Sequence, residues 1–177
     1  MKYIFDFDDT LFLTHKLKKR ISFCLEKTGI SKNIANNYYE FRDRTVPFSL
    51  KSFLLSFFLK EKIEHIDSND VYEDIMSICK NILYQELVEK ARNAGKVNCY
   101  LVTNGDTDFQ LDKIKRSGIA DLFSGIHITN GSKKDIVEKI CAENKEEKIL
   151  FYDNKIEFFA DIDMSKCPNL ETVLYKI

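Results

Sequence analysis

Short apolar runs alternate with stretches of helical spacing along most of this chain. The five runs are residues 1–7, 97–102, 122–129, 148–152 and 172–177. Strands that alternate with helices are typical of a parallel sheet, because each crossover between parallel strands needs a connection long enough for a helix. The pattern therefore predicts an α/β fold built on a parallel sheet.

Residues 14–88 interrupt this alternation, because they show helical spacing only. Leu17, Ile21 and Cys24 recur on one helical face, and Gly29 follows as a stop signal. We predict that residues 14–88 form a helical insertion after the first strand. Residues 1–13 and 89–177 would then form the α/β core domain.

Composition excludes several classes of protein. Of the 177 residues, 44% are hydrophobic and 31% are charged, a balance typical of a globular chain of about one domain. The net charge is −1, so no overall field attracts nucleic acid or an anionic membrane, and we expect neither as a partner. No uncharged apolar run reaches the roughly 18 residues of a membrane span.

The cysteines and the first residues bear on location. The five cysteines are an odd number, widely spaced and without a C-x-x-C pair, which favours reduced thiols over a disulfide framework or a zinc site. The opening MKYIFDFDDTL lacks the pattern of a signal peptide. We therefore expect a cytoplasmic protein.

Polar residues stand where the predicted strands end. They are Asp6 and Asp8, Thr103, Lys133 or Lys134, and Asp153. Because the carboxyl ends of parallel strands lie along one edge of a sheet, these residues are expected to converge in one crevice.

The converging groups suit phosphoryl transfer. A carboxylate attacks phosphorus as a nucleophile, and a second carboxyl two residues away protonates the leaving oxygen and later activates water. A lysine, hydroxyl and backbone donors, and a Mg²⁺ ion held by oxygen ligands would offset the negative charge of the phosphoryl group.

Four segments resemble the motifs of the haloacid dehalogenase-like (HAD) hydrolase superfamily, in the order of that family. They are DFDDTL at 6–11, VTNG at 102–105, GSKKD at 131–135 and YDNKIE at 152–157. The resemblance implies a Rossmann-like three-layer core with strand order 5-4-1-2-3. It also implies a helical cap inserted after the first motif, at the place of residues 14–88.

The resemblance implies a role for each matching residue. Asp6 corresponds to the nucleophile and Asp8 to the general acid/base. Asp6, the Asp8 backbone carbonyl and Asp153 would bind Mg²⁺.

The second and third motifs correspond to the phosphate-binding elements of the family. Thr103 and the backbone of Asn104 would bind phosphate, and Lys133, or alternatively Lys134, would neutralise its charge.

The fourth motif departs from the family pattern. Many members have two adjacent acids there, and in this chain the second is Asn154. Other members place the second acid four residues on, where Glu157 stands. Either Asn154 or Glu157 would support the metal.

The resemblance predicts a Mg²⁺-dependent phosphatase that acts on a small phosphorylated metabolite through an aspartyl-phosphate. The alternatives are a sugar phosphomutase of the same superfamily and a phosphate-binding protein of weakened activity.

Basic residues also cluster in the insertion. Lys16, Lys18, Lys19 and Arg20 lie close together, and Arg42 and Arg44 follow. Such residues usually form the solvated face of a helix, and the alternative is that they attract an anionic substrate.

Overall fold

The computed structural model describes residues 1–43 and 45–175. Its five strands are β1 Lys2–Phe5, β2 Cys99–Asn104, β3 Gly125–Thr129, β4 Ile149–Asp153 and β5 Leu170–Leu174. All pair in parallel, in the order β3-β2-β1-β4-β5. The predicted α/β class and strand order are confirmed. Residues 176 and 177 of the last predicted strand lie outside the described residues.

Strand β1 is the centre of the sheet. Tyr3 is opposite Cys99 of β2, and Phe5 is opposite Tyr152 of β4. The pairing continues beyond the strand, where the Asp6 N–H donates to the Tyr152 carbonyl at 2.8 Å. The carboxyl ends of β1, β2 and β4 therefore lie side by side.

In the described residues, five α-helices and three short 3-10 helices lie between β1 and β2, and three more α-helices follow β2. The first five are α1 Thr14–Lys27, α2 Lys32–Asn36, α3 Leu50–Glu61, α4 Ser68–Met76 and α5 Gln85–Ala94. The others are α6 Thr107–Ser117, α7 Lys134–Glu143 and α8 Glu157–Ala160. Helix α5 crosses the predicted boundary at residue 88, and the division into core domain and cap stays a prediction.

Local sequence signals set the start and end of helix α6. The Asp106 side chain accepts a hydrogen bond from the Phe109 N–H at 2.9 Å, as expected of a residue that caps a helix N-terminus. Gly118 ends the helix with φ of 73°, a left-handed conformation that glycine adopts without a Cβ clash. The ends of α6 are therefore fixed beside β2.

Hydrophobic clusters cover both faces of the sheet. Consecutive residues of β1 point to opposite faces, so Ile4 packs with Val102 and Phe151, whereas Phe5 packs with Leu101. The cluster around Phe5 continues into the helices between β1 and β2, including Leu25, Leu54 and Ile75. Sheet and helices thus form three layers.

Within residues 1–43 and 45–175, no helix has both the length and the apolar character that crossing a bilayer requires.

Candidate active site

Three of the predicted residues meet at the carboxyl edge of the sheet. Asp6 follows β1, Asp153 is the last residue of β4, and Lys133 precedes α7. The Lys133 ammonium donates to Asp6 Oδ1 and to Asp153 Oδ2, both at 2.6 Å. The side chains of Lys133 and Asp153 are fully buried. We call this group of three residues the acidic trio.

The charge of the acidic trio is unbalanced. Two carboxylates share one ammonium, which leaves a formal charge of −1 in a buried place. Burial is the largest influence on Asp6 and raises its pKa to about 6, although the Lys133 ammonium acts in the opposite direction. Buried charge is costly unless it is paired, so this group favours a further cation.

Hydrogen bonds fix both carboxylates. The buried Thr10 hydroxyl donates to Asp6 Oδ2 at 3.0 Å, and the Lys155 N–H donates to Asp153 Oδ1 at 2.9 Å. Sequence analysis did not assign a role to Thr10. Its position within DFDDTL, four residues after Asp6, could have indicated this role.

The two polar residues at the end of β2 have different surroundings. Thr103 is buried, and within the described part of the chain its hydroxyl has no hydrogen-bond partner. The Asn104 side chain donates to the Gly131 carbonyl, which ties β2 to the loop that carries Lys133. Because the hydroxyl has no partner, its donor and its acceptor are both available to a ligand. A buried hydroxyl without a partner costs free energy, which such a ligand would recover.

The structure separates the two lysines that the sequence left as alternatives. Lys133 is in the acidic trio, whereas the Lys134 side chain is 40% exposed and pairs with Glu138 on the surface of α7. The lysine at this edge of the sheet is Lys133.

The residues proposed to support a metal are less buried than the acidic trio. Asn154 is half-buried, and Glu157 is exposed at the start of α8. Among the residues that the structure describes, no group of three His, Cys, Asp or Glu side chains is placed to hold a metal ion. The carboxylates available to a cation here are those of Asp6 and Asp153.

Asp8 makes contacts of a different kind. Its two oxygens accept from the Lys113 ammonium at 2.6 and 2.8 Å. Thr14 donates to Oδ1 at 3.0 Å, and Gln110 donates to Oδ2 at 2.7 Å. Burial opposes the charge of Asp8, but Lys113 and these hydrogen bonds outweigh it and hold the pKa below its ordinary value of 3.8.

Sequence analysis missed Gln110 and Lys113. Both lie on one face of α6, three residues apart, with the buried Phe109 and Ile114. Polar residues on the apolar face of a helix were the available signal. Without the packing they resemble any other polar residues of a surface helix.

The turn after β1 carries both Asp6 and Asp8, and its conformation is fixed by hydrogen bonds within the turn. Asp9 has φ of 55°, a left-handed conformation that aspartate adopts more readily than most residues. Its N–H donates to the Phe12 carbonyl at 2.8 Å, while the Phe7 carbonyl accepts from Leu11 and Phe12, each at 2.9 Å. The turn is thus a compact, internally bonded unit.

A cavity of about 210 Å³ opens beside Asp8, between α6 and the helices that follow β1. Lys18, Tyr39 and Phe48 line it on the insertion side. Lys18 and Arg42 both lie over the Tyr39 ring, at 5.3 and 3.8 Å from its centroid. Arg44 lies outside the described residues.

The rest of the basic cluster is at the surface. Lys16 and Lys19 are exposed, and Arg20 pairs with Asp74 of α4 at 2.5 Å. Of the residues 16 and 18–20, Lys18 alone lines the cavity.

No family model and no curated protein matches this chain. Solved structures do match. A candidate haloacid dehalogenase-like hydrolase from Burkholderia xenovorans LB400 superposes with a TM-score of 0.68 at 20% identity, covering 96% of this chain and 79% of that one. The chain has the fold of the HAD-like hydrolases.

Two other proteins with the HAD-like fold are similar over nearly the whole chain. A candidate β-phosphoglucomutase from Thermotoga maritima has a TM-score of 0.57 at 17% identity and covers 100% of this chain and 87% of its own. The candidate HAD-hydrolase YfnB from Bacillus subtilis, solved bound to magnesium, has a TM-score of 0.52 at 15% identity and covers 97% and 84%.

In this HAD-like fold, the two carboxylates of the first motif have distinct chemical settings. Asp6 is a buried carboxylate beside a lysine, at the sheet edge that also carries the unsatisfied Thr103 hydroxyl, an arrangement that suits covalent attack on an anionic group. Asp8 lines a cavity, where a carboxyl can exchange a proton with a bound molecule.

Proposed function

We propose that this protein is a Mg²⁺-dependent phosphatase that hydrolyses a small phosphate ester through an aspartyl-phosphate on Asp6. The observation that carries the proposal is the acidic trio at the same edge of the sheet as the unsatisfied hydroxyl of Thr103. A buried nucleophile, a buried cation and a free hydroxyl are the groups that phosphoryl transfer needs.

The chemistry proceeds in two steps. An Asp6 oxygen attacks phosphorus and the bond from phosphorus to the leaving oxygen breaks. Asp8, after taking up a proton from solvent, gives that proton to the leaving oxygen. Asp8 then accepts a proton from a water molecule, whose oxygen attacks phosphorus and releases inorganic phosphate and the free carboxylate of Asp6. Thr103 and Lys133 bind the oxygens of the phosphoryl group throughout.

The donor set near the acidic trio fits a magnesium ion. Mg²⁺ is held by one or two carboxylates and completes its octahedron with waters and phosphate, so the absence of a third described acid is no obstacle. Asp6, Asp153 and the Asp8 carbonyl would hold it, and Asn154 or Glu157 would support it through water. The ion, when bound, neutralises charge on the phosphoryl oxygens.

The cavity beside Asp8 supports a small leaving group. Its volume of about 210 Å³ is below the roughly 300–1,000 Å³ of pockets that hold drug-sized ligands. We therefore propose a small metabolite as the substrate, in the cytoplasm.

Phosphate release from p-nitrophenyl phosphate and a panel of metabolite phosphates tests the proposal. We expect release that requires added Mg²⁺ and that stops with EDTA. Asp6→Asn should abolish it, whereas Asp108→Asn, an exposed acid on α6, should not. Release that is independent of Asp6, or the absence of release from every ester tried, would contradict the proposal.

A further inference from the structure

Lys113 is a buried lysine outside the acidic trio. Its side chain is only 3% exposed, and its ammonium donates to both oxygens of Asp8. A buried ammonium is costly unless a partner compensates its charge. The pairing with Asp8 is therefore a required part of this fold.

Four hydrogen bonds fix the orientation of the Asp8 carboxylate. Each oxygen accepts twice, Oδ1 from Lys113 and Thr14, and Oδ2 from Lys113 and Gln110. Lys113 is the donor that binds both oxygens. Removing it would leave one donor on each oxygen and would allow the carboxylate to rotate.

Aromatic side chains fix Lys113 in turn. Its ammonium lies 4.9 Å from the ring centroid of Phe109, 5.3 Å from that of Phe7 and 5.4 Å from that of Phe12. Rings at such distances attract a cation and keep water away from it. The lysine therefore has a single well-defined place, against the Asp8 carboxylate.

We propose that Lys113 is a positioning residue that acts through Asp8, holding its carboxyl group where the proton is exchanged with the leaving oxygen and with water. The inference rests on the proposed function, because it assumes that Asp8 transfers protons. Lys113 also lines the cavity beside Asp8, and the role assigned to it is to hold Asp8, with no proton transfer of its own.

A double-mutant cycle on the full-length protein tests this role. Lys113→Met should lower kcat for phenyl phosphate by about 10- to 100-fold, a part of the roughly 10²–10⁴-fold that a positioned acid/base contributes, and should change KM by less than about twofold. In the Asp8→Asn background, Lys113→Met should have no further effect, because residues that act as one unit are not additive. Lys115→Met, on the exposed face of α6, is the matched control and should behave as wild type.

The leaving group supplies a second readout, which a purely structural role would not change. The p-nitrophenolate ion leaves without protonation far more readily than phenolate does. Lys113→Met should therefore slow phenyl phosphate more than p-nitrophenyl phosphate, whereas a general loss of folded enzyme slows both equally. Lys113→Arg, which keeps the charge, should restore part of the rate.

The outcomes separate the two proposals. Wild-type enzyme that releases no phosphate overturns the function and this inference together. Active wild-type enzyme overturns the inference alone if Lys113→Met keeps its kcat, or if it lowers the rate equally with and without Asp8. If Lys113→Met does not fold, Lys113→Arg replaces it in the cycle, and equal slowing of phenyl phosphate and p-nitrophenyl phosphate, or an effect that persists in the Asp8→Asn background, overturns the inference.

Discussion

Two carboxylates two residues apart are paired with lysine in opposite ways. Asp6 shares Lys133 with a second acid and is almost fully buried, whereas Asp8 has Lys113 to itself and is 29% exposed. The first arrangement has an excess of negative charge and the second is balanced. The difference indicates that the charge balance favours a further cation at the Asp6 carboxylate and not at the Asp8 carboxylate.

The difference also supports the proposed division of the chemistry between Asp6 and Asp8. A site with excess negative charge binds a metal and, with it, an anionic phosphoryl group. A balanced and oriented carboxyl beside a cavity is suited to proton exchange. The same short motif, DFDDTL, thus has two electrostatic settings, because the residue that precedes α7 supplies a lysine to one side of the turn and α6 supplies a lysine to the other.

The largest expected effect comes from removing the second acid of the trio. Asp153→Asn leaves Asp6 paired with Lys133 alone, which balances the charge and removes the reason for a cation to bind. We expect nearly complete loss of Mg²⁺-dependent phosphate release. Asp161→Asn, an exposed acid after α8, is the control and should change little. A Mg²⁺ titration of Asp153→Asn that matches the wild type would refute the metal assignment.

A large effect on stability is expected from Lys133. Lys133→Met leaves two buried carboxylates without their partner, and breaking a buried pair in this way costs about 3–5 kcal/mol of unfolding free energy. Lys134→Met, at the exposed neighbour, should cost less than about 0.5 kcal/mol. Urea unfolding of the two variants measures the difference, and equal losses would show that the acidic trio does not stabilise the fold.

Magnesium provides a check on the same variant that does not depend on turnover. If the charge excess at Asp6 and Asp153 attracts the ion, Mg²⁺ should raise the melting temperature of Lys133→Met more than that of the wild type. An equal rise in the melting temperature of both proteins would show that the charge of the acidic trio does not attract the metal.

A smaller effect is expected at Gly105. An alanine Cβ there would lie 2.7 Å from Gln110 Nε2, the atom that donates to Asp8, and φ is 146°. Gly131 has a similar φ of 139° with free space around its Cβ position, so Gly131→Ala isolates the backbone strain. We expect each alanine to cost about 1–3 kcal/mol, and only Gly105→Ala to lower kcat at equal folded fraction. Equal kcat in the two variants would show that Gln110 does not contribute to catalysis.

The sequence could predict the residues that gather around Asp6 but not the lysine that pairs with Asp8. Asp6, Thr103 and Asp153 each stand at the end of an apolar run, and parallel topology alone brings such positions together. Lys113 stands two residues before Lys115 in the same helix, and the only local difference between them is that Lys113 falls on the apolar face of α6. Only the packing of α6 against Phe7 and Phe12 buries one and exposes the other.

The choice between Lys133 and Lys134 shows the same limit on a smaller scale. Both follow the same glycine-containing loop, and adjacent residues at a helix start differ by about 100° in direction. Helix α7 begins at Lys134, and this start directs Lys133 inward and Lys134 toward Glu138. The helix boundary, which sequence patterns define least well, decides the residue.

The smallest expected effect concerns the departure in the fourth motif. Asn154 is half-buried next to Asp153 and contributes an oxygen without charge. Asn154→Asp adds one negative charge, and a unit charge at about 4 Å contributes about 1 kcal/mol even in water-like surroundings, or roughly fivefold in affinity. We expect activity to be preserved and the Mg²⁺ concentration for half-maximal rate to fall by about that factor or more.

Glu157→Gln provides the comparison for Asn154→Asp. Glu157 is exposed at the start of α8, where salt and water screen its charge, so its loss should change the half-maximal Mg²⁺ concentration by less than about twofold. Mg²⁺ titrations of the initial rate at constant ionic strength measure both variants. A large change in Glu157→Gln together with no change in Asn154→Asp would move the support of the metal from Asn154 to Glu157. The cation at Asp6 and Asp153 would then be supported by a residue of α8 rather than by the residue that follows β4.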